Sequence, residues 1–286
     1  MTVGKAIITA AGEGSRMLPL TRGIRKEMLP LCARSESDGL TLKPLVHLIM
    51  EQLYRAGVRS FCFVIRKGEH MVKDYFTLEE SYVTYLKSVK RYSEDLEALK
   101  RMISDVQLEF VEQPVPQGFG EAVYRAKQFV DGDLFALYAG DGYLLRGDSV
   151  VRKAFAVHAG RKPSATLLAR KVENPSKYGV ISDTKPVSKR PQLYKVGSVV
   201  EKPVHPPSNL ALTAFYVFSP ELMDELGAAL TERRVQLELT EGIMRLIEHG
   251  RDVYACLLNE RRQKWLSVGS PESYLRALEI TRRRPA

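Results

Sequence analysis

Lys5-Ala6-Ile7-Ile8-Thr9-Ala10 followed by Ala11-Gly12-Glu13-Gly14-Ser15-Arg16-Met17-Leu18-Pro19 is the stretch that decides the fold. The first six residues form a short apolar, partly β-branched run without polar alternation, the pattern of a parallel strand buried on both faces. Such a strand ending in a glycine-containing turn delivers the chain into a functional loop. Glycines there let backbone N–H groups approach a phosphate chain closely, and Arg16 adds a planar fork of donors suited to phosphate oxygens. The loop is not a Walker loop, because G-x-x-x-x-G-K-[ST] is absent, nor the dinucleotide fingerprint, because the second x-x-G step is missing.

Working outward, Pro44 to Ala56 has helical apolar spacing, stops at Gly57, and leads to a second strand-like run, Ser60 to Ile65. The alternation returns with a strand at Val106 to Val111, a helix at Gly120 to Phe129 and a strand at Leu134 to Ala139. Parallel crossover topology is the economical reading. The charged, periodic stretch Thr77 to Ser104 carries no Pro or Gly and reads as one or two inserted amphipathic helices. Beyond about residue 161, strands crowd together at Ala165 to Val172, Gly179 to Ser182, Leu193 to Val200 and Leu210 to Phe218. Helices at Glu221 to Leu230 and Glu238 to His249, a strand at Val253 to Leu257 and a helix from Pro271 complete the chain. The expected fold is α/β: a Rossmann-like, three-layer α/β/α arrangement around a mixed, mostly parallel sheet. With no long linker, 1–286 reads as a single domain of two parts, about 1–160, which carries the phosphate-suited loop and the insertion 77–104, and about 161–286.

The 286 residues are 44% hydrophobic and bury a large core. The net charge of +9 suits anionic substrates. The basic runs Arg261-Arg262 and Arg282-Arg283-Arg284 lack interleaved aromatics, so they read as solvated faces, and no nucleic-acid partner is expected. The three cysteines, Cys32, Cys62 and Cys256, form no C-x-x-C pair and no even framework, which suits reducing cytoplasm. No stretch has the length of a membrane span and no secretory leader is visible. The five histidines lack H-x-x-H or H-E-x-x-H spacing, and there is no G-x-S-x-G elbow.

Two further segments carry chemistry. Lys26-Glu27-Met28-Leu29-Pro30 brings a lysine near the first loop, where its charge can offset negative charge building on a phosphate and its leaving group. Ala139-Gly140-Asp141-Gly142 sets a carboxylate just beyond an apolar strand, at the strand end where α/β sheets bind ligands. A buried turn aspartate is the structural alternative.

Together, Gly12 to Pro19 and Lys26 to Pro30 resemble the UTP-glucose-1-phosphate uridylyltransferase family of bacterial and archaeal type, within the sugar-phosphate nucleotidyltransferases. The resemblance implies that UTP and glucose-1-phosphate are the substrates and that Ala10, Ala11, Gly12, Glu13 and Gly14 hold the nucleotide. It implies that Arg16, Lys26 and Asp141 are catalytic, with Asp141 binding Mg²⁺. One or two carboxylates suffice for that ion, whose shell is otherwise phosphate and water. Glu112 to Val123 is similar to the family's base-reading segment, in which Gln113 would bond the pyrimidine edge and Gly118 would let the base lie close. Those glycines would serve a turn and helix start equally well. Tyr178-Gly179 and Glu201-Lys202 look like the family's sugar-phosphate segments, although a Glu-Lys pair is otherwise an ordinary surface ion pair. A homodimer or homotetramer is the implied assembly.

Three positions depart from the family pattern. Arg25 stands where relatives usually have proline, Ala214-Phe215 replaces Gly-Arg, and Ser267 occupies a position usually held by a second aspartate. Phe215 keeps open a thymidylyl- or N-acetylhexosamine-1-phosphate-using relative, and Ser267 a non-catalytic sugar-nucleotide-binding regulatory subunit.

Overall fold

Ile7 and Ile8, adjacent in β1 (Lys5–Ala10), point to opposite faces of a sheet and enter two separate buried clusters. In the computed structural model, which describes residues 3–37, 39–188, 192–232 and 236–286, this strand lies inside the main sheet. A hairpin follows, β2 (Pro30–Arg34) and β3 (Leu40–Pro44), then α1 (Leu45–Arg55) and β4 (Ser60–Arg66). Next come α2 (Met71–Tyr75), α3 (Glu80–Ser88), α4 (Glu94–Ser104) and β5 (Gln107–Gln113). Two short helices, α5 (Phe119–Tyr124) and α6 (Lys127–Val130), precede β6 (Phe135–Ala139), β7 (Gly142–Leu145) and α7 (Asp148–Arg161). The second half contributes β8 (Ala165–Lys171), β9 (Gly179–Ser182), β10 (Lys185–Ser188), β11 (Leu193–Lys195), β12 (Ser198–Glu201) and β13 (Leu210–Phe218). It closes with α8 (Glu221–Glu232), α9 (Leu239–Glu248), β14 (Val253–Leu257), β15 (Lys264–Ser267) and α10 (Pro271–Arg283).

Eleven strands form the main sheet, in the order β10-β11-β14-β8-β13-β6-β1-β4-β5, with β9 beside β13 and β12 beside β9. Strands β6, β1, β4 and β5 are mutually parallel, β8 and β14 are parallel, and β13 runs antiparallel between β6 and β8. The expected mixed, mostly parallel sheet is therefore present. One face packs Ile8, Tyr138 and Phe215 against Ile49 and Leu53 of α1 and Val151 of α7. The other packs Ile7, Leu137 and Leu167 against Val123 of α5, Leu222 and Leu226 of α8 and Ile243 of α9. Each fully buried Ile or Leu contributes about 1.5–3 kcal/mol, and the two clusters make the three-layer α/β/α sandwich.

Register brings the functional loops to one edge. Ala10 is level with Ile65 and Thr9 with Ala139, so β1, β4 and β6 end together. The Gly140 N–H donates to the Thr9 carbonyl at 2.9 Å, which holds the turn before Asp141 against the loop after β1.

The structure differs from the sequence expectation in several elements. Leu193 to Val200 is not one strand: β11 pairs with β14 and β12 pairs with β9, with Val196-Gly197 between them. Gly120 to Phe129 divides into α5 and α6. Thr77 to Ser104 contains α3 and α4, the latter capped by the Ser93 hydroxyl accepting from the Leu96 N–H at 3.2 Å. Helix α7, the hairpin β2–β3 and the pair β7–β15 have no counterpart in the sequence reading. The helix expected from Pro271 begins there, closed by a Ser270–Ser273 capping box. Among the described residues no helix is long and apolar enough to cross a membrane.

Candidate active site

The loop after β1 is anchored by the buried Met17 and held from beneath by two buried side chains. The Thr21 hydroxyl donates to the Gly14 carbonyl at 2.8 Å, and Arg25 Nη2 donates to the Gly12 carbonyl at 2.7 Å. From Arg25 to Leu29, burial alternates: Arg25, Glu27 and Leu29 turn inward while Lys26 and Met28 are half-buried. This alternation sends the Lys26 amine across to the loop. A Cβ added to Gly12 would lie 3.0 Å from Lys26 Nζ, so glycine is what lets the ammonium approach the backbone there.

Lys26 is only 14% exposed and its Nζ lies 3.5 Å from Asp141 Oδ2 and 3.8 Å from Glu27 Oε1. Asp141 leaves β6 with its side chain 37% exposed, open to a ligand on one side and to Lys26 on the other. The Val268 N–H donates to the Asp141 carbonyl at 2.9 Å, tying the end of β15 to this turn. Ser267 lies opposite Gly142 in the β7–β15 pair, and its hydroxyl accepts from the Gly269 N–H at 3.1 Å. A Cβ on Gly269 would meet Arg16 Nη2 at 2.8 Å and Ser267 Oγ at 3.3 Å, so the Arg16 guanidinium rests on the Ser267–Gly269 turn. By their sequence positions Lys26 belongs with the loop after β1 and Asp141 with the sheet edge. The structure brings these two and Arg16 to the same edge.

Glu27, 1% exposed, belongs to the quoted lysine motif but received no role from sequence. Burial pushes its carboxyl up to about 7, against the lowering influence of Lys26 and Arg25, with Asp141 raising it further. One of its oxygens, Oε2, is buried without a hydrogen-bond partner among the described residues. Because the folded-state value lies above 4.5, protonation favours the fold. That stabilisation is complete below about pH 4.5 and is lost as pH rises through 7, a swing of about 3 kcal/mol. Glu27→Gln, a neutral isostere, should flatten the decline in metal-free buffer and leave the variant more stable than the parent at pH 8. Urea unfolding across that pH range measures this, and parallel stability curves would contradict it.

The base-reading candidates lie beyond β5. Gln113 is buried, and its Nε2 donates to Glu121 Oε2 at 2.6 Å and to the Gly118 carbonyl at 3.3 Å. Glu121 in turn pairs with Arg125. Gly118 has φ of +106°, and a Cβ there would fall 2.2 Å from the Leu237 carbonyl, so both conformation and close approach require glycine. The stretch 117–120 is stitched to Leu237 by Leu237 N–H to Gln117 O at 2.8 Å and Gly120 N–H to Leu237 O at 2.9 Å.

On the other half, Glu201 lies opposite Gly179 in the β12–β9 pair, and the Lys202 N–H donates to the Tyr178 carbonyl at 3.0 Å. Lys202 Nζ sits 2.8 Å from Glu201 Oε1, and Thr240 Oγ1 donates to Glu201 Oε2 at 3.2 Å. The Tyr178 ring lies against the Arg170 guanidinium, 5.4 Å from its centroid. The hydrogen bond to Glu201 holds the Lys202 ammonium above its usual range, against the opposing influence of burial and of the Arg16 charge. Burial raises the Tyr216 hydroxyl, with the Glu201 and Asp141 carboxylates adding to it. Glu238, Thr240, Thr21 and Glu27 had no role in the sequence reading. The Glu238 carboxyl is raised by burial first and then by Glu201, and is opposed by Lys202. No local motif signals it.

Phe215 is fully buried, edge-on to Tyr138 at 5.5 Å. The aromatic replacing the family's arginine is thus core packing.

Residues 5–284 match the nucleotidyl transferase family. The UTP–glucose-1-phosphate uridylyltransferase of Bacillus subtilis strain 168 is 30% identical over 86% of this chain and 81% of its own. The UTP–glucose-1-phosphate uridylyltransferase 2 of Staphylococcus saprophyticus is 30% identical over 85% and 81% respectively. A solved UDP-glucose pyrophosphorylase, complexed with UDP-glucose, superposes with a TM-score of 0.80 over 99% of both chains at 24% identity, a likeness of fold. These matches agree with the resemblance carried by Gly12 to Pro19 and Lys26 to Pro30.

Proposed function

We propose that this chain, which belongs to the nucleotidyl transferase family, converts UTP and α-D-glucose-1-phosphate to UDP-glucose and pyrophosphate, as the names of its 30%-identical relatives say of them. The observation that carries the reading is the Lys26 ammonium held between Gly12 and Asp141 at the C-terminal ends of β1 and β6. A cation fixed there lies where the phosphate chain of a loop-bound nucleotide would pass.

In this mechanism an oxygen of the sugar phosphate attacks the UTP α-phosphorus in line. A P–O bond to the sugar phosphate forms, the bond to the β-phosphate oxygen breaks, and pyrophosphate leaves with that electron pair. The nucleophile is already anionic, so no general base is needed. The protein contributes position and charge. The N–H groups of residues 12–14 and Arg16 bind the triphosphate, Lys26 offsets charge at the α-phosphate and the leaving group, and Lys202 holds the sugar phosphate. Glu201, its second oxygen braced by Thr240, accepts sugar hydroxyls, and Tyr178 and Gly179 line that end. Ala10 and Ala11 bring the loop up to the nucleotide, with Glu13 at its tip. Because Glu121 claims the amide nitrogen of Gln113, its Oε1 is the atom suited to accept uracil N3–H.

Asp141 fits Mg²⁺, an ion that needs few protein carboxylates and otherwise takes phosphate and water. When bound it would neutralise phosphate charge. Among the described residues no group of three or more His, Cys, Asp or Glu could hold a metal, so Asp141 and the substrates would supply the ligands. We read 1–286 as one domain and place the reaction in the cytoplasm, which suits three free cysteines. A panel of four nucleoside triphosphates against several sugar phosphates tests the substrate assignment. UTP with glucose-1-phosphate should give the highest kcat/KM; a preference for a thymidine nucleotide or an N-acetylhexosamine-1-phosphate would replace it.

A further inference from the structure

We infer that Arg25 is a positioning residue that aims the backbone of the phosphate loop at the nucleotide, an inference that rests on reading residues 11–16 as the triphosphate loop. Arg25 is 9% exposed, and Nη2 donates to the Gly12 carbonyl at 2.7 Å. Its Nε is buried without a partner among the described residues. A buried guanidinium with an unsatisfied N–H is costly to fold, and packing alone would be better served by an apolar side chain. What the guanidinium accomplishes is visible in the peptide it holds. The Gly12–Glu13 bond is trans, and in a trans peptide the C=O and the N–H point in opposite directions. Drawing the Gly12 carbonyl inward therefore turns the Glu13 N–H outward, toward the exposed side of the loop on which Gly12 and Glu13 lie. Thr21 acts in the same sense two residues on: its hydroxyl holds the Gly14 carbonyl at 2.8 Å, turning the Ser15 N–H outward. Arg25 is thus coupled to the site from below, beside Lys26 and the buried Glu27, without touching substrate itself.

The geometry also says which substitutions preserve the role. A lysine retains both charge and a donor, a glutamine retains a donor without charge, and an alanine retains neither. The test titrates UTP and inorganic pyrophosphate against the full chain and its Arg25→Ala, Arg25→Lys and Arg25→Gln variants, with KM for glucose-1-phosphate and the thermal midpoint recorded in parallel. Arg25→Ala should weaken UTP and pyrophosphate about tenfold, the loss of one charge-assisted hydrogen bond. KM for glucose-1-phosphate and the thermal midpoint should stay near those of the parent. Arg25→Lys should recover most of the affinity and Arg25→Gln part of it. Unchanged UTP and pyrophosphate affinity in Arg25→Ala overturns the inference. So does a uniform loss for all ligands with a lowered midpoint, the mark of a structural role. A glutamine variant as weak as alanine also overturns it, because charge and not peptide orientation would then be at work. A parent chain that binds neither UTP nor pyrophosphate overturns the loop assignment itself and the inference with it.

Discussion

Replacing Lys26 by alanine is expected to lower kcat with UTP and glucose-1-phosphate by about 10²–10³-fold, the usual cost of removing one group that meets developing charge, while the chain stays folded. The ammonium is 14% exposed, against Gly12 and between Asp141 and Glu27, so it is held in place before substrate arrives. Preorganisation of this kind costs no rearrangement at the moment of transfer. Its loss should therefore fall on kcat more than on KM for glucose-1-phosphate, whose binding we assign to Lys202 and Glu201. Removing the amine also leaves Glu27 without its strongest opposing charge, so burial should push that carboxyl higher still. Steady-state kinetics and circular dichroism on the same preparation measure this. A variant with near-normal kcat would remove Lys26 from the chemistry.

Asp141→Asn should cost on the order of 10²-fold in turnover and weaken Mg²⁺ binding in the presence of UTP. Asparagine keeps the shape and the turn, and the backbone bonds from Val268 to Asp141 and from Gly140 to Thr9 do not depend on the carboxylate. The substitution therefore separates charge from position. The Lys26–Asp141 ion pair at 3.5 Å is partly exposed, so losing it should change stability by at most about 1 kcal/mol. With Ser267 supplying a hydroxyl where the family pattern has a second aspartate, little remains to compensate for Asp141. A metal titration followed by Mn²⁺ paramagnetic resonance in place of Mg²⁺, compared between parent and variant with UTP present, reads the effect apart from turnover. Superimposable curves would reject the metal role.

The parallel core was legible because its strands are buried on both faces and so read as unbroken apolar runs, Ile7-Ile8 and Ala136-Leu137-Tyr138 among them. Helix α7 was not, since its buried face, Val150, Val151, Ala154 and His158, includes a polar residue while Ala156 and Ala159 are exposed outside it, so apolar and polar positions do not separate cleanly. The hairpin β2–β3 hides for another reason: β3 alternates apolar and polar residues in the inverted sense, with Leu40 and Leu42 exposed and Lys43 buried, and each strand is only five residues long. The break at Val196-Gly197 is set by which neighbours the two strands find, β14 for one and β9 for the other, and this is a tertiary choice.

For the site, Lys26 and Asp141 could be named from sequence because each is embedded in a recognisable segment, and the fold places them 3.5 Å apart. The couplings that orient them were not readable. Arg25 to Gly12 spans a loop, Arg16 on Gly269 and Thr240 on Glu201 join distant parts of the chain, and Glu238 approaches Glu201 only through folding. Phe215 shows how a departure from a family pattern can mislead. Its change of chemistry suggested an altered sugar pocket, whereas the ring lies in the core.

Chemical transfer of a uridylyl group is tested most directly by following both products in one vessel. Purified chain with UTP, glucose-1-phosphate and Mg²⁺ should release pyrophosphate in step with UDP-glucose, one for one, and the rate should vanish when either substrate is omitted. Saturable binding of UTP or UDP-glucose without pyrophosphate release would contradict the account and identify a non-catalytic sugar-nucleotide-binding subunit in its place.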